Sequence, residues 1–310
     1  VQMDVAKSLF LSSFCLLLAV APAFAVGQAG LDFDVLSVGV GARPLGMGGA
    51  FTAVADNADA PYWNPAGLGY LKNNEITTMQ TRLSTDADHY YVSYIQPLWK
   101  GTLGISWIQI SAGSLSNTSA TVDAYNEVNT ISIFSYFSNA YLLSYGLKIT
   151  ERISAGLTAK YLSSDMSKIS GGQGYGYSIA PGVMLKPNDI FTIGLRIDEL
   201  FNKVVWGTGS AEKAPPKLHL GIAARPVLPK ISGLFSLDFS QTMKEGYIGS
   251  FALGYEWERQ GLSLRCGYAD SSFSAGAGFE SGVARIDYAY VQSNELTRSN
   301  CHRISLSGKW

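Results

Sequence analysis

The sequence predicts an all-β protein, a transmembrane antiparallel β-barrel of about 14 strands with an N-terminal plug, or hatch, inside its lumen. Three observations lead there. Apolar residues alternate with small, polar or charged ones from Asn74 to the last residue. Only 15% of the 310 residues are charged, against about 25% in ordinary soluble domains, while glycine reaches 33 and tyrosine 17. Ahead of the first clear strand lies one compact Gly/Ala/Asn/Pro segment unlike anything after it. A soluble β-rich secreted protein has a similar composition. It rarely places Arg, Lys, Asp and Glu on the polar face of most strands while aromatics crowd the ends of the apolar face, as barrels do.

From the N-terminus, Lys7 precedes an apolar run from Leu9 to Val20, then Ala21-Pro22-Ala23-Phe24-Ala25. This is the pattern of a secretory signal peptide over residues 1–25, cut after Ala25. At about a dozen residues the run is too short for a bilayer span of ~20. Cys15 falls inside it. Cys266 and Cys301 remain, too few and too far apart for a disulfide framework or a metal cluster. No later stretch reads as a transmembrane helix. A net charge of −1 speaks against nucleic acid as a partner, because phosphate binding needs a concentrated basic face.

Residues 26–73 form the expected plug. Gly46, Gly48 and Gly49 permit tight turns and close backbone packing. Ala50 to Ala58 reads as a short helix of small residues, ended by Pro61 and Pro65. Asn64 before Pro65 starts a turn, continued by Ala66 and Gly67. Asp56 and Asp59 suit helix-end caps better than a cation site. The run "GVGARPLG" has the wrong spacing for a nucleotide loop. A plug is needed because eight strands fill their own lumen, whereas 16–18 leave a channel.

Residues 74–310 form the expected barrel. Strand segments lie near 74–82, 88–97, 102–111, 139–149, 153–162, 174–186, 191–198, 217–225, 234–241, 249–257, 262–268, 273–279, 284–291 and 302–310. In "FTIGLRID" the residues Phe191, Ile193, Leu195 and Ile197 oppose Thr192, Gly194, Arg196 and Asp198. The same grammar places Lys160, Arg196, Asp198, Arg225, Asp238, Glu256, Arg265, Arg285, Asp287 and Arg303 toward the lumen, where mixed signs on neighbouring strands suit pairs bracing barrel and plug. The lumen therefore reads as polar. Residues 88–111 alternate less cleanly. Long loops are expected at 112–135, 163–173 and 199–216. The last strand ends on Trp310, a C-terminal aromatic of the kind that barrel assembly machinery reads.

The stretch "GARPLGMGGAFTAVADNADAPYWNPAGL" (Gly41–Leu68) resembles the N-terminal signature of the PorV/PorQ family, relatives of FadL-type outer-membrane proteins. "SIAPGVMLKPNDIFTIGLRIDEL", "VVWGTGSAEKAPPKLHLGIAARP", "ARIDYAY" and "HRISLSGKW" resemble its later strands, so the likeness runs along nearly the whole chain after the signal peptide. It implies a 14-stranded barrel in the bacterial outer-membrane lipid bilayer, with Asn64-Pro65-Ala66 inside an inward-folded hatch. It also implies transport of hydrophobic, fatty-acid-like small molecules. Some members instead dock exported protein cargo for a type IX secretion system, which is the alternative here. No cofactor or metal is expected. Nor is an enzyme: His89, His219 and His302 sit in separate strands, and neither a G-x-S-x-G run nor metal-ligand spacing is present.

Overall fold

A computed structural model describes residues 34–83, 87–122, 127–226, 233–270, 272–292 and 300–310. The expected signal peptide and residues 26–33 of the expected plug lie outside the described residues.

The strands are β1 Glu75–Arg82, β2 Ala87–Leu98, β3 Gly101–Val122, β4 Val128–Lys148, β5 Ile153–Met166, β6 Gln173–Leu185, β7 Phe191–Asp198, β8 Leu200–Trp206, β9 Ala211–Glu212, β10 Lys217–Ala224, β11 Leu234–Thr242, β12 Ser250–Arg259, β13 Leu262–Ala269, β14 Ser272–Ser281, β15 Ala284–Val291 and β16 Cys301–Lys309. All pairings are antiparallel. β16 pairs with β1, β10 with β7, and β5 with β6, so β1–β7 and β10–β16 close a ring of 14 strands. Closure leaves that ring without a free edge. β8 follows β7 after Glu199 and pairs with the first half of β6, and β9 pairs with β8.

Three connections differ from expectation. The expected loop at 112–135 is largely strand, because β3 and β4 run for 22 and 21 residues and rise as a hairpin beyond their neighbours. Its Ser/Thr/Asn-rich sequence conceals this, since a strand wetted on both faces need not alternate. The expected loop at 163–173 shrinks because β5 continues to Met166. The expected loop at 199–216 contains β8 and β9.

The two faces of the wall differ sharply. Outward positions carry exposed Leu220, Ile222, Phe251, Leu264, Ile286, Ile304 and Leu306. Cys266 is also exposed there, a free thiol in an apolar row. Apolar cover extending around a whole ring is suited to lipid, not water. Trp310 closes the last strand by exchanging backbone hydrogen bonds with Asn74 at 3.0 Å and stacks on Tyr94. β2 and β3 blur the alternation because apolar residues stand on both of their faces, among polar ones such as His89, Ser93 and Ser106 inside. Tyr91, Ile95, Ile108 and Ile110 are buried inside, while Ile105 is exposed outside.

Candidate functional site

Residues 34–73 fold as short pieces: helices Asp34–Ser37, Ala42–Gly46 and Ala60–Trp63, and a 3-10 turn Pro65–Tyr70. The expected helix from Ala50 to Ala58 does not form. Asp238 on β11 takes the amides of Phe51 and Thr52 at 3.0 and 2.8 Å, and a single turn follows, closed on the Phe51 carbonyl. The prolines begin elements instead of ending one. Pro61 lies in the first turn of Ala60–Trp63, and Pro65 opens the 3-10 turn, where a missing N–H costs nothing. Asn64 accepts from the Ala66 amide at 3.1 Å and donates to the Thr52 carbonyl at 2.8 Å. The Trp63 indole donates to the Val40 carbonyl at 3.0 Å.

This segment meets the inner wall backbone to backbone. Gly48 has φ +68° and Gly49 φ +77°, both left-handed turn positions. A Cβ on Gly254 would sit 2.7 Å from the Met47 carbonyl, and one on Gly221 2.8 Å from the Ala53 amide. Inward glycines at 146, 156, 182, 194 and 267 face the segment just as closely. The sequence placed several of these glycines on the inward face but did not show that they meet the N-terminal segment. Their signal was the repeated inward "GL", "GI" or "GY" step of "ISAGLT", "FTIGLR", "LHLGIA" and "FALGYE".

Charges fasten the segment to β12–β15. Arg43 is bidentate on Glu256, at 2.9 and 2.7 Å, and also reaches Asp56 at 2.5 Å. Glu256 accepts from Arg265 at 2.7 Å, and Arg265 reaches Asp287 at 2.8 Å. Arg285 joins Asp287 at 3.0 Å and Glu280 at 3.0 Å. Arg225 bonds Asp56 at 2.5 Å from the barrel mouth. Burial raises the Asp56 carboxyl, but Arg43 and then Arg225 hold it below its ordinary value. Arg303 donates to the carbonyls of Val38 and Gly39 at 3.2 and 3.3 Å. Arg43 was not among the sequence candidates and Asp56 was read only as a helix-end cap, because Glu256 and Arg225, which join them to the wall, lie far along the chain.

A second cluster gathers Lys160, Arg196 and Asp198. Arg196 Nη1 donates to the carbonyls of Tyr62 and Trp63, and Nη2 reaches Asp198 at 2.5 Å. Lys160 reaches Asp198 at 3.2 Å and Glu199 at 2.8 Å. His219 Nε2 is 3.2 Å from Asp198. This cluster sits behind a break in the β-ladder. The β6–β7 ladder ends at Gly182–Arg196, and pairing resumes between β6 and β8 at Ile179–Leu200. Two residues of β6, Ala180 and Pro181, thus oppose three on the other side, and Pro181 has no N–H to give. Glu199 (φ +56°) and Phe201 (φ +50°) take up the surplus as bulges. Asn202 stitches the region by exchanging two hydrogen bonds with the Ala214 backbone at 2.7 and 2.8 Å.

The lumen is not uniformly polar. One cross-strand row of buried inward residues reads Met79, Tyr91, Ile108, Ala140, Leu162, Gly176 and Val204. Val35 and Leu36 belong to the same apolar cluster. The row crosses seven strands and ends on β8 beside the break. On the other side the row is Arg303, Ala289, Gly276, Arg265 and Glu256. At the mouth, Ala53, Val54, Ile190, Ala223 and Leu234 line a cleft of about 210 Å³ together with Asp56 and Arg225. The histidines do not converge: buried His89 has no hydrogen-bond partner, His219 faces Asp198, and His302 bonds Tyr288 on the outside.

Solved structures share this architecture. The Ralstonia pickettii toluene transporter TbuX is similar at TM-score 0.62 and 13% identity, over 90% of this chain and 100% of that one. The Pseudomonas putida toluene transporter TodX is similar at TM-score 0.59 and 13% identity, over 87% and 97%. A Pseudomonas aeruginosa FadL homologue follows at 0.54 and 12%, over 87% and 97%. The fold is that of the FadL-like barrels. No family model matches the chain, and neither does any curated protein. In this FadL-like frame, residues 34–73 occupy the lumen and the apolar row ends near the ladder gap just described.

Proposed function

We infer that the protein carries a hydrophobic, fatty-acid-like small molecule across the bacterial outer membrane, as a FadL-like barrel of PorV/PorQ type whose residues 26–73 act as a hatch. The observation that carries this reading is the apolar row from Met79 to Val204, which leads across seven strands to the gap between β6 and β7–β8. A polar porin has no use for such a row, and a sealed structural plug has no use for a gap in the wall. The TbuX and TodX structures are described as toluene transporters, which agrees with an apolar cargo. The charged half of the lumen grips the hatch, and the apolar half offers the path. Trp310 serves barrel assembly, and the signal peptide serves export.

Protein reconstituted in liposomes should speed the uptake of a labelled long-chain fatty acid or a monoaromatic hydrocarbon over protein-free vesicles. Equal rates would refute transport. The β3–β4 hairpin, standing beyond its neighbours, supports a second reading as a docking surface for exported protein cargo of a type IX-like system. Crosslinking from that hairpin in cells that never recovers an exported protein removes it.

A further inference from the structure

We propose that the cleft between the lumen segment and the ends of β7, β10 and β11 is a binding site for the carboxylate end of an amphipathic molecule, with Lys186 and Arg225 as its cationic partners. This deepens the transport reading above, on which the site's purpose as a release station rests; the binding itself does not depend on it.

The cleft lies at the end of the ring that carries the short turns, such as 186–190 between β6 and β7 and 260–261 between β12 and β13. Short turns mark the periplasmic end of an outer-membrane barrel. The floor is apolar, from Ala53 and Val54 on one side to Ala223 and Leu234 on the other. Ala223 is buried and faces inward, whereas Ile222 beside it is exposed on the lipid side. The cleft therefore opens at the mouth of the lumen, not into the bilayer. A volume of about 210 Å³ holds roughly seven waters, or a carboxylate and a few methylenes.

The charges around it do not balance. Asp56 is the one acid among the lining residues, against two cations, Lys186 and Arg225. Asp56 is also held from the buried side by Arg43 at 2.5 Å. The Lys186 ammonium lies over the ring of Tyr70 at 3.8 Å, and no carboxylate of the described residues pairs with it. Burial lowers its pKa, Asp56 opposes this, and Arg225 and Lys148 add to the lowering. The Tyr70 hydroxyl, on the same ring, is buried without a hydrogen-bond partner. A cation drawn off water without a counter-ion is costly, and an entering carboxylate offsets that cost. Arg225 supplies the second contact. Its side chain is 55% exposed and that of Asp56 33%, so their bond is a surface pair of small energy. Arg225 can turn to an entering carboxylate while Arg43 keeps Asp56 paired. A carboxylate without a chain forgoes the apolar floor, and a chain without a charge leaves Lys186 unpaired. The site thus selects for both together.

The protein in phosphatidylcholine nanodiscs is irradiated with a diazirine-bearing octanoic acid, and adducts are mapped by mass spectrometry. They should concentrate on Val54, Ile190 and Leu234. Lys186→Gln and Arg225→Gln should each lower their yield about tenfold, as loss of one charge-assisted hydrogen bond does. Lys100→Gln, in the β2–β3 turn at the same end of the ring but outside the cleft, should leave it unchanged. The corresponding octanol should give about a tenth of the acid's yield. Equal yields for acid and alcohol, or yields indifferent to both cleft substitutions, overturn the proposal. So does displacement by phosphatidylglycerol and not by unlabelled octanoate, which would assign the cations to lipid headgroups. Should the variants fail to fold, the unaltered protein answers the same question. Octanoate, but not octanol, should slow acetylation of Lys186 about fivefold, and absence of protection overturns the proposal. If liposomes show no uptake while acid-selective labelling persists, the transport reading fails and the site stands. Uptake without labelling of the cleft leaves transport intact and removes the site.

Discussion

At the scale of single residues, the lumen segment 34–73 carries one carboxylic acid in the wrong medium. Asp59 is 2% exposed beside Gly41, whose α-carbon leaves no room for a Cβ next to the carboxylate. Burial pushes its carboxyl up to about 7; the Asn57 amide opposes this, and Glu75 and Asp287 add to it. The folded state therefore holds a proton that the unfolded chain releases near the ordinary value of 3.8. Stability falls as pH rises from about 4 to about 7, and the loss is complete above that. Asp59→Asn should be neutral near pH 4 and stabilising by on the order of 2–4 kcal/mol at pH 8, read from urea unfolding in detergent at both values. A pH-independent effect would show that Asp59 is ionised throughout. The wall glycines make a second prediction at this scale. In Gly194→Val the added atoms meet the Thr52 carbonyl and the Ala53 α-carbon, and backbone cannot swing aside as a side chain can. We expect a loss of about 1–3 kcal/mol. Gly113→Ala, with nothing within 4 Å of its Cβ, should change stability by less than about 0.5 kcal/mol. Equal effects would mean that the lumen segment does not press on the wall at Gly194.

Among elements, β16 is the clearest test of which face meets lipid. Its outward Ile304 is 51% exposed, whereas Arg303 and Ser305, one step to either side, are buried. Ile304→Arg should cost about 2–4 kcal/mol in a bilayer. Ser307→Lys, toward the lumen at the rim, should cost about 1 kcal/mol, mainly its hydrogen bond to Thr77. A comparable cost for both would place water, not lipid, against Ile304. This strand was legible in the sequence because it pairs an apolar face with a charged one, and so were β7, β10, β12 and β15. β2 and β3 were placed near 88–97 and 102–111 but with a weaker period, since apolar side chains stand on both of their faces. That is why the apolar row from Met79 to Val204, on which the proposed path depends, escaped the sequence. The inward charges could be placed on a face but not paired, because Arg43 and Glu256 stand 213 residues apart. The wall break left only a trace, Pro181 within a strand-like run, as a bulge is set by the register of two strands together.

For the whole molecule, the ring and its filling are separable, and this allows the hatch to be tested directly. Strand pairing closes the ring without help from residues 34–73. Those residues supply buried partners for Asp238, Glu256 and Arg303, all of which face the lumen and would meet water if the partners were gone. Wetting such groups costs far less than burying them alone, so the empty ring should survive. An unfilled ring of 14 strands is also wide enough to pass water. Deleting residues 41–68 should therefore leave a heat-modifiable barrel that leaks glucose-sized solutes from liposomes, which the intact protein retains. It should also abolish the selectivity for hydrophobic probes over polar ones, since the apolar row would no longer be the only way through. Unchanged retention of glucose in a correctly folded deletion would show that some other part of the chain fills the lumen. Leakage with unchanged preference for the hydrophobic probe would place the cargo path outside the hatch altogether.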